Sequence, residues 1–73
     1  EAFGRLMAEL RPRLHRYCAR MVGSAFDGED VVQDALAKAT EAFGTEGRTI
    51  AHPESWLFRI AHNTALDALR GGA

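Results

Sequence analysis

The stretch Asp30-Val31-Val32-Gln33-Asp34-Ala35-Leu36-Ala37-Lys38-Ala39-Thr40-Glu41-Ala42-Phe43 reads as one amphipathic helix. Wound at ~100° per residue, it gathers Val31, Val32, Ala35, Leu36, Ala39, Ala42 and Phe43 on one broad arc. Asp30, Gln33, Asp34, Ala37 and Glu41 fall together on the opposite side. Two carboxylates and an amide thus share an exposed face beside a helix start. Such a face is a surface for another molecule to read.

Upstream, Phe3, Leu6, Met7, Leu10, Leu14, Tyr17, Cys18, Met21 and Val22 follow helical i, i+3, i+4, i+7 spacing. Pro12 lacks an amide donor and crowds the preceding turn, so a kink or short break is expected near Leu10–Pro12. The apolar stripe keeps its phase across the proline, so both pieces should face one core. Gly23-Ser24 ends this element. Asp27 is the expected N-cap of the middle helix, with Glu29 and Asp30 in a first turn that the macrodipole favours for acids. That helix should run to about Phe43, followed by a loop over residues 44–52 that opens with the turn cluster Gly44-Thr45-Glu46-Gly47. The last helix begins in His52-Pro53-Glu54-Ser55, continues to about Arg70 and stops at Gly71-Gly72. With no alternating strand pattern and no repeat, the expected fold class is all-α: a small three-helix bundle-like domain over residues 1–73, its first element kinked or broken near Pro12.

At 73 residues, 47% hydrophobic and 26% charged, the chain has the composition of one small globular domain with a thin core. It starts at Glu1 and its last helix runs almost to the end, so it is expected to be a fragment of a longer protein. The net charge of −1 hides a division: residues 1–22 carry +3, residues 23–47 carry −5, and residues 48–73 carry +1. An acidic middle between basic ends suggests two partners of opposite preference. The single cysteine, Cys18, lies on the apolar stripe and reads as a small buried hydrophobe, which fits a reducing cytoplasm. No apolar run approaches the ~20 residues a membrane span needs.

The last helix has two sides. Leu57, Ile60, Ala61, Thr64, Ala65, Ala68 and Leu69 cover one, with Phe58 at its edge; Arg59, His62, Asn63, Asp67 and Arg70 occupy the other, with Trp56 and Leu66 among them. Trp56 has two readings: a lid on the edge of the core, or a stacking platform for unpaired bases, worth ~1–3 kcal/mol per base. Asn63 can read a base edge and Arg59 can hold phosphate. Arg13, Arg16 and Arg20 share a face of the first element, a solvated face by default and a phosphate-binding one as the sharper alternative. His62 reads as a solvated face residue. His15, His52 and His62 lack metal-ligand spacing, so neither metal nor cofactor is expected. With no activated nucleophile pair and no phosphate-cradling glycine loop, the chain does not read as an enzyme.

The series Glu29-Asp-Val-Val-Gln-Asp34, a loop, then Trp56-Leu-Phe-Arg-Ile-Ala-His-Asn-Thr-Ala-Leu-Asp-Ala-Leu-Arg70 resembles region 2 of a bacterial sigma factor, most of all the extracytoplasmic-function group. Arg11-Pro-Arg-Leu-His-Arg-Tyr17 and the Gly23-Ser24 junction are similar too. Each motif is weak alone; their order and spacing over nearly the whole chain are specific.

The resemblance implies a promoter-recognition domain of a transcription initiation factor, acting in the cytoplasm without catalysis. Asp30, Gln33 and Asp34 would bind the β′ clamp helices of core RNA polymerase; relatives often carry Glu where this chain has Asp34. The loop from about Ile50 to Ser55 would capture a flipped base of the non-template strand of the −10 promoter element. Ser55, Trp56, Arg59, His62, Asn63 and Arg70 would form the DNA-binding set, with Asn63 reading bases. An anti-sigma factor is a further partner the family admits. Relatives often extend the last helix with Arg and Lys, whereas this chain ends Arg70-Gly-Gly-Ala73, and no part of it corresponds to region 4. So few cations imply weak binding of promoter DNA by this stretch alone. The competing reading is a helical protein–protein interaction module without DNA binding.

Overall fold

The computed structural model describes residues 2–46 and 50–71. Those residues form three helices, α1 (Ala2–Val22), α2 (Ala25–Glu46) and α3 (Pro53–Leu69), and contain no strand. The fold is all-α, as expected.

α1 runs unbroken through Pro12, and only a minor kink is left of the expected kink or break. The physical reason is placement. Pro12 denies a hydrogen bond to the carbonyl four residues back, on Ala8, and both residues are exposed, so water can reach that carbonyl. Leu10 and Leu14 stay buried on either side of it.

The α1–α2 junction corrects one expectation. Gly23 adopts φ 79°, and its N–H and that of Ser24 both donate to the Ala19 carbonyl, at 2.8 and 3.2 Å. This reversal leaves Ser24, not Asp27, as the cap of α2: the Asp27 N–H donates to Ser24 Oγ at 3.2 Å. Asp27 instead sits inside the first turn. At its other end α2 continues past Phe43 through Gly44 and Thr45 to Glu46, and Thr45 Oγ1 donates to the Ala42 carbonyl at 3.0 Å. Of the anticipated turn cluster, Gly47 lies outside the described residues, as does Gly72 at the other chain end. α3 starts as expected, with His52 at the N-cap position and Pro53 at the first turn, and closes at Arg70 and Gly71.

α1 and α2 are antiparallel. Phe3 stacks on Phe43 with ring centroids 3.9 Å apart, and at the far end Arg11 and His15 meet Glu29. Near that end the helices approach so closely that a Cβ on buried Gly28 would lie 2.6 Å from Ala19 Cα. α3 packs against both. Leu10, Leu14 and Cys18 of α1, Val31, Val32, Ala35 and Ala39 of α2, and Leu57, Ala61 and Ala65 of α3 form the core. Burial of a side chain such as Leu14 or Leu57 contributes roughly 2–3 kcal/mol. Buried Thr64 donates its hydroxyl to the Ile60 carbonyl at 2.7 Å, so its polarity is satisfied. Ala68 and Leu69, expected on the core side of α3, are exposed, Leu69 at 55%, because the packing of three helices ends before them.

Candidate functional site

Each face singled out in the sequence can now be placed. On α2, Val31, Val32, Ala35 and Ala39 turn inward while Asp30, Gln33, Asp34, Ala37 and Glu41 are all exposed. The helical period therefore delivers the acid–amide–acid group to the surface as one patch. One turn before Asp30, Phe26 is 88% exposed and extends that patch with an aromatic ring. Sequence reasoning missed Phe26, although its i−4 spacing from Asp30 was a readable signal. Asp34 borders a shallow hollow between α2 and α3 whose other walls include Lys38, Thr64 and Asp67. Asp67 therefore groups with the acids of α2 rather than with Arg59 and His62. A second hollow joins Asp30 and Asp34 to Val22, Asp27 and the exposed Leu69.

The neighbouring acid, Glu29, has a different task. It turns toward α1, where Arg11 donates to its carboxylate at 2.5 Å. That guanidinium holds the Glu29 carboxyl below the usual carboxylate range. His15 Nε2 donates to the Ala25 carbonyl at 3.1 Å, which fixes the proton on that nitrogen. Glu29 thus ties α2 to α1, with a second hydrogen bond from the Gln33 side chain one turn on, while Asp30, Gln33 and Asp34 all remain exposed.

On α3, Ser55, Arg59, Asn63 and Arg70 are exposed. Pro53, Glu54 and Ser55 form the first helical turn, so of the anticipated loop Ile50, Ala51 and His52 precede the helix. Trp56 is half-buried against the core with its ring centroid 6.0 Å from that of Phe3. Its lid role is therefore realised. His62 is not a solvated residue: it is half-buried, with Nδ1 2.7 Å from the Tyr17 hydroxyl. Arg70 leans on Asp67 at 3.6 Å.

Two ridges of α1 and α3 interlock at this side. Arg13 pairs with Glu54 at 2.9 Å and lies 5.3 Å from the centroid of the Phe58 ring. Tyr17 meets Phe58 edge-on, with centroids 5.8 Å apart and planes at 83°. Arg13 and Tyr17, one turn apart on α1, thus grip Glu54, Phe58 and His62 along α3. None of these pairs is visible in the sequence, because each spans at least forty residues of chain. Burial pushes the Cys18 thiol up from its usual pKa, so the thiol is an inert part of the core. Among the described residues no group of His, Cys, Asp and Glu could hold a metal ion, and no helix is long and apolar enough to cross a membrane.

The arrangement is a helical domain with two chemically different outer faces: acidic with an exposed aromatic on α2, and on α3 a mixed one that presents Arg59 and Asn63. The sequence pattern of the Sigma-70 region 2 family matches residues 6–73. The chain is 45% identical over 62 residues to the ECF RNA polymerase sigma factor SigG of Mycobacterium tuberculosis, covering 84% of this chain and 16% of that protein. It is 39% identical over 57 residues to SigL of the same organism, covering 78% and 32%. Over 73 residues it is 27% identical to SigW of Bacillus subtilis, covering 96% of this chain and 37% of the relative. The chain therefore spans well under half the length of these relatives. No solved structure matches it significantly.

Proposed function

The chain belongs to the sigma-70 region 2 family, in its extracytoplasmic-function group, and from that premise we propose that it is a two-sided adaptor: the α2 face docks on core RNA polymerase and the α3 face holds the unpaired −10 strand of a promoter. On this reading Asp30, Gln33 and Asp34 receive the clamp helices of the polymerase β′ subunit, and Phe26 adds an apolar anchor beside them. A large side chain that becomes desolvated at the centre of an interface carries a disproportionate share of binding energy. Ser55, Arg59, Asn63 and Arg70 contact the non-template strand, and His62 and Trp56 support them from half-buried positions. The setting of this work is the cytoplasm, where the polymerase is.

The observation that carries the reading is that Asp30, Gln33 and Asp34 on α2 and Arg59 and Asn63 on α3 are all exposed, as two outward groups of different chemistry. A polyanion meets Arg59 and Asn63 on α3, and the acids Asp34 and Asp67 bound the hollow between α2 and α3 that limits that face. No bond is made or broken. The domain favours open DNA by as much as it binds the unpaired strand more tightly than the duplex. An anti-sigma factor would act by covering either face.

The test is a titration of the chain with fluorescent single-stranded −10-like oligonucleotides at low salt. Sequence-dependent binding that Asn63→Ala abolishes is expected. Absence of binding at low salt would leave a protein-interaction module that does not touch DNA.

A further inference from the structure

The charge on α1 is divided between its two flanks. On the flank toward α2, Arg11 is paired with Glu29 and His15 is tied to Ala25. Away from that flank, Arg13, Arg16 and Arg20 follow one another at spacings of three and four, which sets them in a row on one helix face whose α3 edge is Arg13. Arg13 is committed to Glu54 and Phe58. Arg16 and Arg20 are exposed, and neither has a carboxylate within ion-pair distance among the described residues. Glu9 is the exposed acid on the same face.

The seam described above decides where this row lies. Arg13 meets Glu54 and Phe58, and one turn on Tyr17 meets Phe58 and His62, so here α1 and α3 run in the same direction, side by side. Arg16 and Arg20 flank Tyr17 at i−1 and i+3 on its outward side. Tyr17 itself meets His62 of α3, and Arg59 and Asn63 are exposed on that same helix. The face proposed for strand binding therefore does not stop at the edge of α3.

We infer that Arg16 and Arg20 of α1 form a second backbone-binding strip, holding phosphates of the same single strand whose bases are read from α3. This rests on the reading of the α3 face given above and adds to it a role for α1. The physical argument is the supply of cations. α3 offers Arg59 and Arg70, and Arg70 leans on Asp67. Phosphate contacts fix a strand in register before base contacts can discriminate. Two unpaired arginines, separated by four residues or about 6 Å along the helix, double the number of available phosphate partners. The occupant is a phosphodiester backbone because the strip is cationic and exposed, and because Tyr17, which it flanks, contacts His62 of the helix that carries Asn63.

The experiment is an ionic-strength series with the full chain and a fluorescent single-stranded −10-like oligonucleotide, comparing the parent with the Arg16→Gln/Arg20→Gln double variant. Both sites are exposed and glutamine is a good helix former, so the fold is retained. Each lost phosphate contact on a single strand flattens the dependence of log K on log salt by ~0.7, so the double variant should be shallower by about 1.4. Affinity at low salt should fall by about tenfold or more, with base preference unchanged. Arg16→Lys/Arg20→Lys should restore most of the slope. A parent that binds with a slope the glutamine pair leaves unaltered overturns this inference alone. A parent that does not bind at all overturns the strand-binding reading, and this inference with it.

Discussion

The Tyr17 hydroxyl lies 2.7 Å from Nδ1 of His62, joining the first helix to the last across 45 residues of chain. The contact has a second component, since the Tyr17 ring also meets Phe58 edge-on. Tyr17→Phe keeps the ring and deletes the hydrogen bond. The expected cost is about 1 kcal/mol, which in a domain of this size lowers the thermal midpoint by roughly 4–8 °C. A melting curve unchanged from the parent would mean that the bond adds nothing to stability.

Gly28 and Gly44 should respond in opposite directions to the same substitution. A methyl at Gly28 would lie 2.6–2.8 Å from Ala19 atoms, two of them backbone, so α1 and α2 would have to separate. Gly28→Ala should cost about 3 kcal/mol or more. At Gly44 the added carbon meets nothing within 4 Å, and the position is helical. Gly44→Ala should therefore stabilise by about 0.5 kcal/mol through helix propensity. Urea midpoints of the two variants provide the check. Equal effects at both positions would contradict the close crossing of the helices.

Much of this layout was legible in the sequence, because helical periodicity is a local property. The inward Val31, Val32, Ala35 and Ala39 and the outward Asp30, Gln33 and Asp34 follow from counting along one segment. What was not legible depends on neighbours distant in sequence. Nothing local to Gly28 marks it as a contact point; only Ala19, placed against it by the fold, does. His62 reads as solvated until Tyr17 arrives from α1. Asp67 falls on the polar arc of α3, and only packing shows that this part of the arc borders α2. Pro12 misled for a related reason: its penalty depends on whether water reaches the carbonyl it abandons. Ser24 and Asp27 are both good caps three residues apart, and the left-handed Gly23 decides between them.

The Arg11–Glu29 pair should give stability a pH dependence of known sign. Arg11 holds the folded-state pKa of Glu29 below its ordinary value of 4.5. The pair's contribution is thus complete above that value and is lost as pH falls through the lower folded-state pKa. Both side chains are substantially exposed, so the effect is small and weakens with salt. The parent should be more stable than Glu29→Gln at about pH 6, and the gap should close on acidification below about pH 4. A gap that stays constant across that range would show that Glu29 acts by packing and not by charge.

The central claim is that the outer face of α2 is the polymerase-docking face of this domain. Its most direct test is the affinity of the Gln33→Ala/Asp34→Ala variant for core RNA polymerase, measured together with its circular dichroism and melting temperature. Both side chains are exposed, so the account predicts a folded domain with parent-like melting whose binding to polymerase falls by at least about a hundredfold, equivalent to ~2.7 kcal/mol. A folded variant that binds polymerase as the parent does would contradict it.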